Sequence, residues 1–136
     1  MILVDTSVLI DFFKGAETQK TLIFESILKQ DLPYGIAPYT YQEVLQGARD
    51  EPEYEKIREY LATMRFYFLP ETIDVYEESA RMFFDLRRKG ITVRSTIDIL
   101  IALVAIRNNL SLLHNDRDFD AIASGTGSLK ILEHIH

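Results

Sequence analysis

The chain has 136 residues and a mass of 15.7 kDa, which is the usual size of one domain. A chain of this size can bury roughly two-thirds of its unfolded surface and needs no disulfides or structural metal ions to stay folded. Its composition, 47% hydrophobic and 26% charged with no cysteine, excludes disorder, collagen, coiled coils, disulfides and thiolate chemistry, and favours a reducing compartment. The net charge of -6 argues against broad electrostatic capture of nucleic acid, although a nuclease whose site is built from acids also begins with a negative balance.

The amino-terminal half of the chain begins with a strand and continues mainly as helices. Ile2–Val4 is a short β-branched-rich run that ends at polar residues, which predicts a buried strand. Tyr34–Ala37, ended by Pro38, predicts a second strand. Apolar side chains at helical spacing predict the helices of this half, which cover Val8–Phe13, Thr21–Lys29, Tyr39–Arg49 and Glu51–Arg65.

The carboxyl-terminal half alternates in the same way. Its predicted strands are Phe66–Leu69, Leu110–His114 and Leu129–Leu132. Its predicted helices are Glu71–Lys89, Thr96–Asn109 and a short helical turn at Phe119–Ala123. Short apolar strands separated by helices predict an α/β fold in which one parallel sheet of about five strands is covered on both faces.

A single domain over residues 1–136 is expected, because no linker, repeat or low-complexity segment interrupts this pattern. The longest apolar run, Ile99–Ile106, is shorter than the ~18 residues that a membrane span needs. The amino terminus has no basic leader and meets an acid at Asp5, so we expect no secretory signal.

Five acidic residues follow strands or open helices at what we expect to be one edge of the sheet. Asp5 follows the first strand, and Glu43 lies in the first turn of the helix after the second strand. Asp116 and Asp118 follow the fourth strand, and Asp98 lies in the first turn of the helix that leads into it. The functional crevice of an open α/β sheet lies outside the carboxyl ends of its strands. Like charges gathered there would raise one another's pKa values unless a cation compensates them.

The chemistry that suits such a cluster is metal-dependent hydrolysis. Oxygen ligands without cysteine select a hard cation, Mg²⁺ or Mn²⁺, rather than Zn²⁺. Mg²⁺ binds through few carboxylates together with substrate phosphate oxygens, lowers the pKa of a bound water and neutralises phosphate charge. The pattern therefore favours hydrolysis of a phosphodiester bond.

Helix capping is an alternative explanation for most of these acids. Asp5 is a residue type that caps a following helix, and Glu43 completes a capping box that begins at Thr40. Asp118 can cap the last helix, with Asp116 in a solvated loop. These alternatives stay open for each residue taken singly.

Asp98 is harder to explain by capping, although Ser95 stands at capping-box spacing before it. It lies between Ile97 and Ile99 on an otherwise apolar helix, where an unpaired carboxylate costs several kcal/mol by order of magnitude. The face below it carries small or polar residues, namely Ala102, Ala105 and Asn109. Such a face suits the floor of a ligand crevice, so we favour a functional role for Asp98.

Four segments spread along nearly the whole chain together contain the five acids. They are Ile2–Ile10, Thr40–Gly47, Thr96–Ala102 and Leu112–Phe119. In order and spacing these segments resemble the motifs of PIN domains, in particular those of the VapC toxin ribonucleases of bacterial and archaeal toxin–antitoxin pairs. The resemblance implies a PIN-like three-layer α/β/α sandwich with a central, mostly parallel five-stranded sheet.

The resemblance also implies a catalytic divalent-metal site, with Mg²⁺ as the expected ion and Mn²⁺ as an alternative. The implied metal ligands are Asp5, Glu43, Asp98 and Asp116, with Asp118 as an outer or alternate ligand. A hydroxyl near the first acid, Thr6 or Ser7, would position water or a ligand. His114 departs from the Thr or Ser that many relatives carry two residues before the fourth acid, and we favour a histidine satisfied at a strand end over one that contacts phosphate or metal.

The substrate implied by the resemblance is RNA, single-stranded or structured, cleaved endonucleolytically in the cytoplasm to leave 5′-phosphate and 3′-hydroxyl ends. An acidic protein needs local cations to bind RNA, and its binding should be weak and salt-dependent. The candidate RNA-binding residues are Arg87, Arg88, Lys89, Arg94 and Arg117. Pairing with the helix dipole is the favoured alternative for the first three.

The partners implied by the resemblance are a second copy of the chain, in a homodimer, and a cognate antitoxin, with a higher toxin–antitoxin assembly as a further option. The antitoxin would lie over apolar helices and direct a basic side chain towards the acids. The aromatic residues available for that groove are Phe12, Phe13, Phe24, Tyr54 and Tyr60, although core packing is the favoured explanation for most of them. No membrane partner is expected.

Other functions are compatible with the sequence. One is a PIN nuclease in RNA processing, and another is a catalytically silent PIN module that binds a partner protein. A third is a phosphatase or receiver-like protein with an Asp nucleophile. Against the third, Ser7 stands where a second acid is expected after the first strand, and no lysine follows the later strands in the expected place.

Overall fold

The computed structural model describes residues 1–135 and places five strands and seven helices within them. The strands are β1 Ile2–Val4, β2 Tyr34–Ile36, β3 Arg65–Phe66, β4 Ser111–Leu113 and β5 Lys130–Ile131. The helices are α1 Thr6–Phe13, α2 Gln19–Lys29, α3 Pro38–Gln46, α4 Glu51–Ala62, α5 Ile73–Arg88, α6 Thr96–Arg107 and α7 Arg117–Thr126. Each predicted strand and helix therefore has an observed counterpart.

The strands form one sheet in the order β3-β2-β1-β4-β5, and every neighbouring pair is parallel. From β1 the chain moves outwards through β2 and β3 and then returns to the other side of β1, where Leu112 of β4 pairs with Leu3. This reversal puts the topological switch point, where open parallel sheets bind ligands, between β1 and β4. The backbone N–H of Asp5 donates to the carbonyl of Leu113 at 2.9 Å, so the loops that leave the two strands start side by side.

Helices cover both faces of the sheet, which confirms the predicted α/β/α sandwich. α1, α2, α3 and α4 contact one another around a core that includes Leu9, Phe24 and Leu61. α5, α6 and α7 contact one another around a second core that includes Phe119. The segment Ile99–Ala105 of α6 is buried throughout, as expected for a helix that is apolar on every side. No helix within residues 1–135 is both long and apolar enough to cross a membrane.

Two helices differ from their predicted bounds. α7 is a helix of ten residues rather than a short turn at Phe119–Ala123, because Asp116 caps its first turn and Gly127, with φ of 69°, ends it in the left-handed conformation. The last residues of α7 have weak helix propensity, which hides this turn in the sequence. α3 begins at Pro38, a residue that suits a first helical turn, so Glu43 lies in the second turn rather than the first.

Strand β3 ends at Phe66, although the sequence predicts a strand over Phe66–Leu69. The backbone N–H of Tyr67 still donates to the carbonyl of Ile36 in β2 at 2.9 Å, and the next residue, Phe68, is 64% exposed. Tyr67 folds back over Gly35 of β2, where a Cβ atom would lie 2.6 Å from the Tyr67 ring. Close packing of the ring on the β2 backbone therefore requires glycine at that position.

Candidate metal centre

Three carboxylates meet at the carboxyl ends of β1 and β4. Asp98, Asp116 and Asp118 each have an oxygen atom within 4.8 Å of the others. Asp98 lies in the first turn of α6, and Asp116 and Asp118 lie at the start of α7, directly after β4. Oxygen atoms that converge in this way can bind one cation together.

Asp5 is the N-cap of α1, and only 3% of its surface is exposed. Its Oδ2 accepts hydrogen bonds from the Ser7 backbone N–H at 3.0 Å and from the Ser7 hydroxyl at 2.6 Å. Its Oδ1 is buried and has no hydrogen-bond partner among residues 1–135. Burial raises the pKa of Asp5 to about 6, against the lowering effect of the Ser7 hydrogen bonds. Capping thus accounts for one oxygen only, and a bound cation would satisfy the other.

Asp98 is half-buried and is repelled by every other acid of the site. Burial raises its pKa to about 7, and the neighbouring carboxylates add to that rise. The repelling residues are, from the strongest, Asp5, Asp116, Glu43 and Asp118. The fold therefore places the five predicted acids close enough for the charge of Asp98 to interact with each of the other four. We refer to these five residues as the acidic centre.

Glu43 is held by a hydroxyl group from another helix. The Thr6 hydroxyl lies 2.7 Å from Glu43 Oε1 and 3.3 Å from the Thr40 hydroxyl, so its one proton goes to the closer carboxylate. The N-cap of α3 is Ala37, which makes no side-chain cap. The capping-box explanation for Glu43 is therefore wrong, because Thr40 lies inside the helix rather than before it.

Ser7 links the two loops that flank the switch point. Its hydroxyl donates to Asp5 and accepts from the backbone N–H of Asn115 at 2.8 Å. The Asn115 side chain in turn donates to Asp11 Oδ2 at 3.0 Å. Neither Asn115 nor Asp11 stands out in the sequence. The one signal for Asp11 is its position one helical turn after Ser7.

Asp116, rather than Asp118, caps α7. Its Oδ1 accepts from the backbone N–H of Asp118 at 3.0 Å, so the alternative with Asp118 as the cap is wrong. His114 Nδ1 accepts from the backbone N–H of Asp116 at 3.1 Å, and its Nε2 lies 3.2 Å from Asp120 Oδ1. These partners specify a neutral ring with its proton on Nε2, and burial lowers the pKa of His114. His114 is thus a satisfied histidine at the end of a strand.

Arg94 and Arg117 are the predicted RNA-binding cations that lie beside the acidic centre. Arg94 Nε donates to Asp118 Oδ2 at 3.0 Å, and a terminal nitrogen of the same guanidinium lies 3.8 Å from Asp116 Oδ1. Arg117 is the exposed first residue of α7. The rim of the site therefore carries two exposed cations, of which one is paired with the acids.

Arg87, Arg88 and Lys89 lie at the end of α5 and contact other groups. The two guanidinium groups stack on phenylalanine rings of the same helix, 5.8 Å and 5.6 Å from the ring centres. Lys89 Nζ donates to the carbonyl of Gly125, which is about 13 Å from Asp116 along α7 at the usual helical rise. The role of these three residues in RNA binding stays a prediction.

The donor set of the acidic centre fits a hard divalent cation. All its side-chain donors are carboxylate oxygens, and the chain has no cysteine. Asp5 and Asp98 have raised pKa values, and the ion pairs of Arg94 are with Asp116 and Asp118 rather than with these two acids. A cation of the Mg²⁺ or Mn²⁺ class would relieve the repulsion and satisfy Asp5 Oδ1.

A groove of about 900 Å³ lies between α1, the end of α3 and α4. Three of the five aromatic residues predicted for a partner groove, Phe12, Phe13 and Tyr60, line it. Phe24 is instead fully buried, as the core-packing alternative predicts, with its ring centre 4.9 Å from that of Phe12. Tyr54 is exposed on α4 but does not line the groove. The charged lining residues are Lys14, Arg49, Asp50, Glu53 and Lys56.

The sequence matches a family and curated relatives over most of its length. The family model that describes the PIN domain matches residues 2–125. VapC ribonuclease Mb1587 from Mycobacterium bovis is 30% identical over 124 residues, which cover 90% of this chain and 92% of that protein. Ribonuclease VapC11 from Mycobacterium tuberculosis matches with the same identity and the same coverage.

Solved structures with low sequence identity share the fold. VapBC2 from Rickettsia felis, bound to a DNA fragment from its promoter, aligns with a TM-score of 0.71 and 19% identity over 100% of both chains. A toxin–antitoxin complex from Klebsiella pneumoniae aligns with a TM-score of 0.66 and 22% identity, over 99% of this chain and 100% of that chain. At these identities the likeness concerns the fold alone.

Proposed function

The chain belongs to the PIN domain family, and we propose that it is a Mg²⁺-dependent endoribonuclease that acts as the toxin of a toxin–antitoxin pair. One observation carries the proposal. The switch point of the sheet gathers Asp98, Asp116 and Asp118 within 4.8 Å, beside a buried Asp5 whose Oδ1 lacks a hydrogen-bond partner in the described chain. The curated relatives named as VapC ribonucleases, at 30% identity, support the same class of reaction.

We assign the chemistry to the acidic centre. The proposed cation ligands are Asp5, Glu43, Asp98 and Asp116, with Asp118 as an outer or alternate ligand. When bound, Mg²⁺, or Mn²⁺ in its place, would lower the pKa of a water molecule and neutralise charge on the scissile phosphate. Hydrolysis in this way would leave 5′-phosphate and 3′-hydroxyl ends.

Thr6 and Ser7 would position the carboxylates. Thr6 holds Glu43 through Oε1. Ser7 makes two hydrogen bonds to Asp5 Oδ2, which leaves Asp5 Oδ1 as the oxygen available to a ligand. Carboxylates fixed in advance by such partners bind a cation without having to reorganise.

The substrate of the proposed reaction is RNA in the cytoplasm, with translation-related RNA as the target class. The net charge of -6 disfavours general binding of nucleic acid. RNA binding therefore depends on the basic side chains that lie beside the acids. Arg94 and Arg117 lie at the rim of the acidic centre, where an RNA phosphate would pass. We expect weak binding that depends strongly on salt.

The groove between α1 and α4 is the proposed binding site for the antitoxin. Phe12, Phe13 and Tyr60 provide apolar surface, and charges of both signs surround it. α1 connects this groove with the acidic centre, because Thr6 and Ser7 lie in its first turn and Phe12 and Phe13 in its last. An antitoxin segment in the groove could therefore direct a basic side chain to the acids.

A homodimer is also proposed, and exposed apolar side chains around the start of α5 support it. Phe68, Ile73 and Tyr76 are 64%, 73% and 54% exposed. Large apolar patches that are exposed on a surface are typical of protein–protein contacts, and these three residues lie within nine positions of the chain. A two-fold dimer would bury the same patch on both copies, and the antitoxin would join two such chains in a larger assembly.

The test of the proposed activity is RNA cleavage by wild type, Asp5→Asn and Asp98→Asn. We expect cleavage that needs Mg²⁺ or Mn²⁺ and stops with a chelator, and a loss of about a thousandfold or more in each variant, as is usual when a metal ligand or catalytic group is removed. Asp85→Asn, on α5 and paired with Arg81, is the matched control and should cleave like wild type. Thermal melting checks the fold of each variant. Cleavage at the wild-type rate by both site variants would refute the assignment.

Two further observations separate the toxin from a PIN nuclease in RNA processing or a silent PIN module. An adjacent small reading frame whose product binds this chain and stops cleavage would support the toxin. Sequencing of RNA ends after a brief expression pulse should show new 5′-phosphate ends. A stable, folded protein that cleaves no RNA in any divalent metal would favour the silent module.

A further inference from the structure

Arg94 is the basic residue that contacts the acidic centre from the segment between α5 and α6. Its guanidinium bonds Asp118 at 3.0 Å and lies 3.8 Å from Asp116. Among the lysine and arginine side chains of residues 1–135, Arg94 is the one that forms an ion pair with an acid of the centre. The pair joins two of the three carboxylates that lie within 4.8 Å of one another.

The backbone around Arg94 is anchored by its neighbours, whereas its side chain is largely exposed. Val93 is buried, with 4% exposure, and the Ser95 hydroxyl accepts from the backbone N–H of Ile97 to cap α6. The Arg94 side chain is 67% exposed, whereas that of Asp118 is 14% exposed. A rotation of the arginine side chain is therefore enough to break the pair, with no change in the main chain.

We propose that Arg94 is an internal counter-ion that competes with the divalent cation for Asp116 and Asp118 and that, once displaced, binds a phosphate group of the RNA. This inference rests on the proposed function. A guanidinium and a metal ion bound to the same carboxylates repel each other, and they compete for the same oxygen lone pairs. A guanidinium released at the rim has the planar donors that suit phosphate oxygens.

A structural role for Arg94 leads to a different expectation. A purely structural ion pair would leave metal affinity unchanged when it is removed, or would lower it because Asp118 loses its orientation. A competing counter-ion must raise metal affinity when it is removed. The sign of the change in metal affinity therefore separates the two roles.

The test is a calorimetric titration of the full chain with MnCl₂, without RNA, for wild type, Arg94→Gln and Arg117→Gln. Arg117 is the matched control, because it lies on the same rim and its loss lowers the net charge equally. We expect Mn²⁺ to bind Arg94→Gln about three- to tenfold more tightly than wild type, as an exposed ion pair at 3–4 Å would allow. Arg117→Gln should change less than twofold.

Two further measurements accompany the titration. Added Mn²⁺ should raise the melting temperature of Arg94→Gln by more than that of wild type, because the variant binds the ion more tightly. At saturating metal, Arg94→Gln should show a higher KM for RNA with a smaller change in kcat, and Arg94→Lys should restore much of the loss, since it keeps the charge.

The outcomes distinguish this inference from the proposed function. If wild type binds Mn²⁺ and cleaves RNA but Arg94→Gln binds Mn²⁺ no more tightly than Arg117→Gln, the role of Arg94 is refuted and the ribonuclease stands. If neither wild type nor Arg94→Gln binds Mn²⁺ at millimolar concentration and wild type cleaves no RNA, both fail. If removal of Arg94 weakens metal binding, Arg94 is a structural support of the site.

Discussion

Helix α6 contributes to both the apolar core and the acidic centre, and these two regions have opposite effects on the stability of the fold. Its segment Ile99–Ala105 is buried throughout between the sheet and its neighbouring helices. Asp98, directly before that segment, is half-buried among four other acids, and its pKa is raised to about 7. The first region gains free energy from the removal of apolar surface from water, whereas the second loses free energy by holding a carboxylate where it prefers to be neutral.

The contrast shows how a small domain holds an unfavourable cluster of charge. The buried apolar turns of α6 anchor the helix, which holds Asp98 of its first turn near Asp116 and Asp5. Substitutions in the two regions should therefore differ in kind. Changes in the apolar segment should lower stability, and changes among the acids should remove activity with little loss of stability.

The largest change in stability is expected from Leu103→Ala. Leu103 is fully buried in α6, and truncation of a core leucine costs about 3–5 kcal/mol through lost burial and the cavity left behind. Leu22→Ala, at a position that is 45% exposed on α2, is the matched control and should cost less than about 1 kcal/mol. Urea unfolding measures both. Equal effects of the two substitutions on the free energy of unfolding would contradict the stabilising role assigned to the apolar segment of α6.

A smaller effect is expected from Tyr60→Ala, which extends the comparison to α1 and its groove. Tyr60 lines the groove and packs 5.4 Å from the Phe13 ring. Its removal should weaken binding of the antitoxin about tenfold or more, as for an aromatic anchor at an interface, and should leave RNA cleavage by the free toxin unchanged. Tyr54→Ala is the control, because Tyr54 is equally exposed on α4 but lies outside the groove. Similar losses from both would argue against this groove as the antitoxin site.

A third prediction concerns the pH dependence of stability in a chelating buffer. The pKa of Asp5 is raised from 3.8 to about 6 in the folded chain, so the folded state takes up this proton before the unfolded state does. The contribution of Asp5 to the free energy of unfolding should therefore rise as the pH falls from 8 towards 4. By linkage, wild type should gain about 1 to 1.5 kcal/mol relative to Asp5→Asn between pH 8 and pH 5. Urea unfolding at both values measures the gain, and parallel curves for the two proteins would show that Asp5 is not destabilised by its charge.

The smallest effect is expected from the rim cations. Arg117 lies at the exposed start of α7, beside the acids. In Arg117→Gln the slope of log affinity for RNA against log salt concentration should be shallower by about 0.7, the change expected for one lost phosphate contact. Arg88→Gln, at the end of α5, should leave the slope closer to that of wild type. Fluorescence anisotropy with a short RNA at several salt concentrations measures both slopes. A larger change for Arg88 would move the RNA path to the end of α5.

Much of the fold could be predicted because it is encoded in local patterns. β1, α6 and the order of strands and helices follow from apolar runs and helical spacing, and the place of Asp5 and Asp116 follows from the rule for parallel sheets. The full length of α7 could not be predicted, because its last residues are poor helix formers that the capping residues Asp116 and Gly127 enclose. The capping box at Glu43 was misleading, because Pro38 starts α3 before it.

The contacts that complete the site could not be predicted from local sequence patterns. Arg94 and Asp118 are 24 residues apart, and Ser7 and Asn115 are 108 residues apart. Either partner alone is a common polar residue with no periodic signal. Only the packed chain shows that Arg94 pairs with the acids while Lys89, five positions earlier, contacts the far end of α7.

Apolar periodicity and short motifs act over a few residues, so the α/β architecture, the five acids and their order along the chain can be predicted from the amino-acid sequence. Three further properties are visible only in the folded chain: the oxygen of Asp5 that lacks a partner among the described residues, the acid that caps α7 and the arginine that faces the acidic centre. These properties depend on the distances between atoms that are remote in the chain. Burial and charge repulsion act through such distances, so they set the pKa values of Asp5 and Asp98 only once the chain is folded.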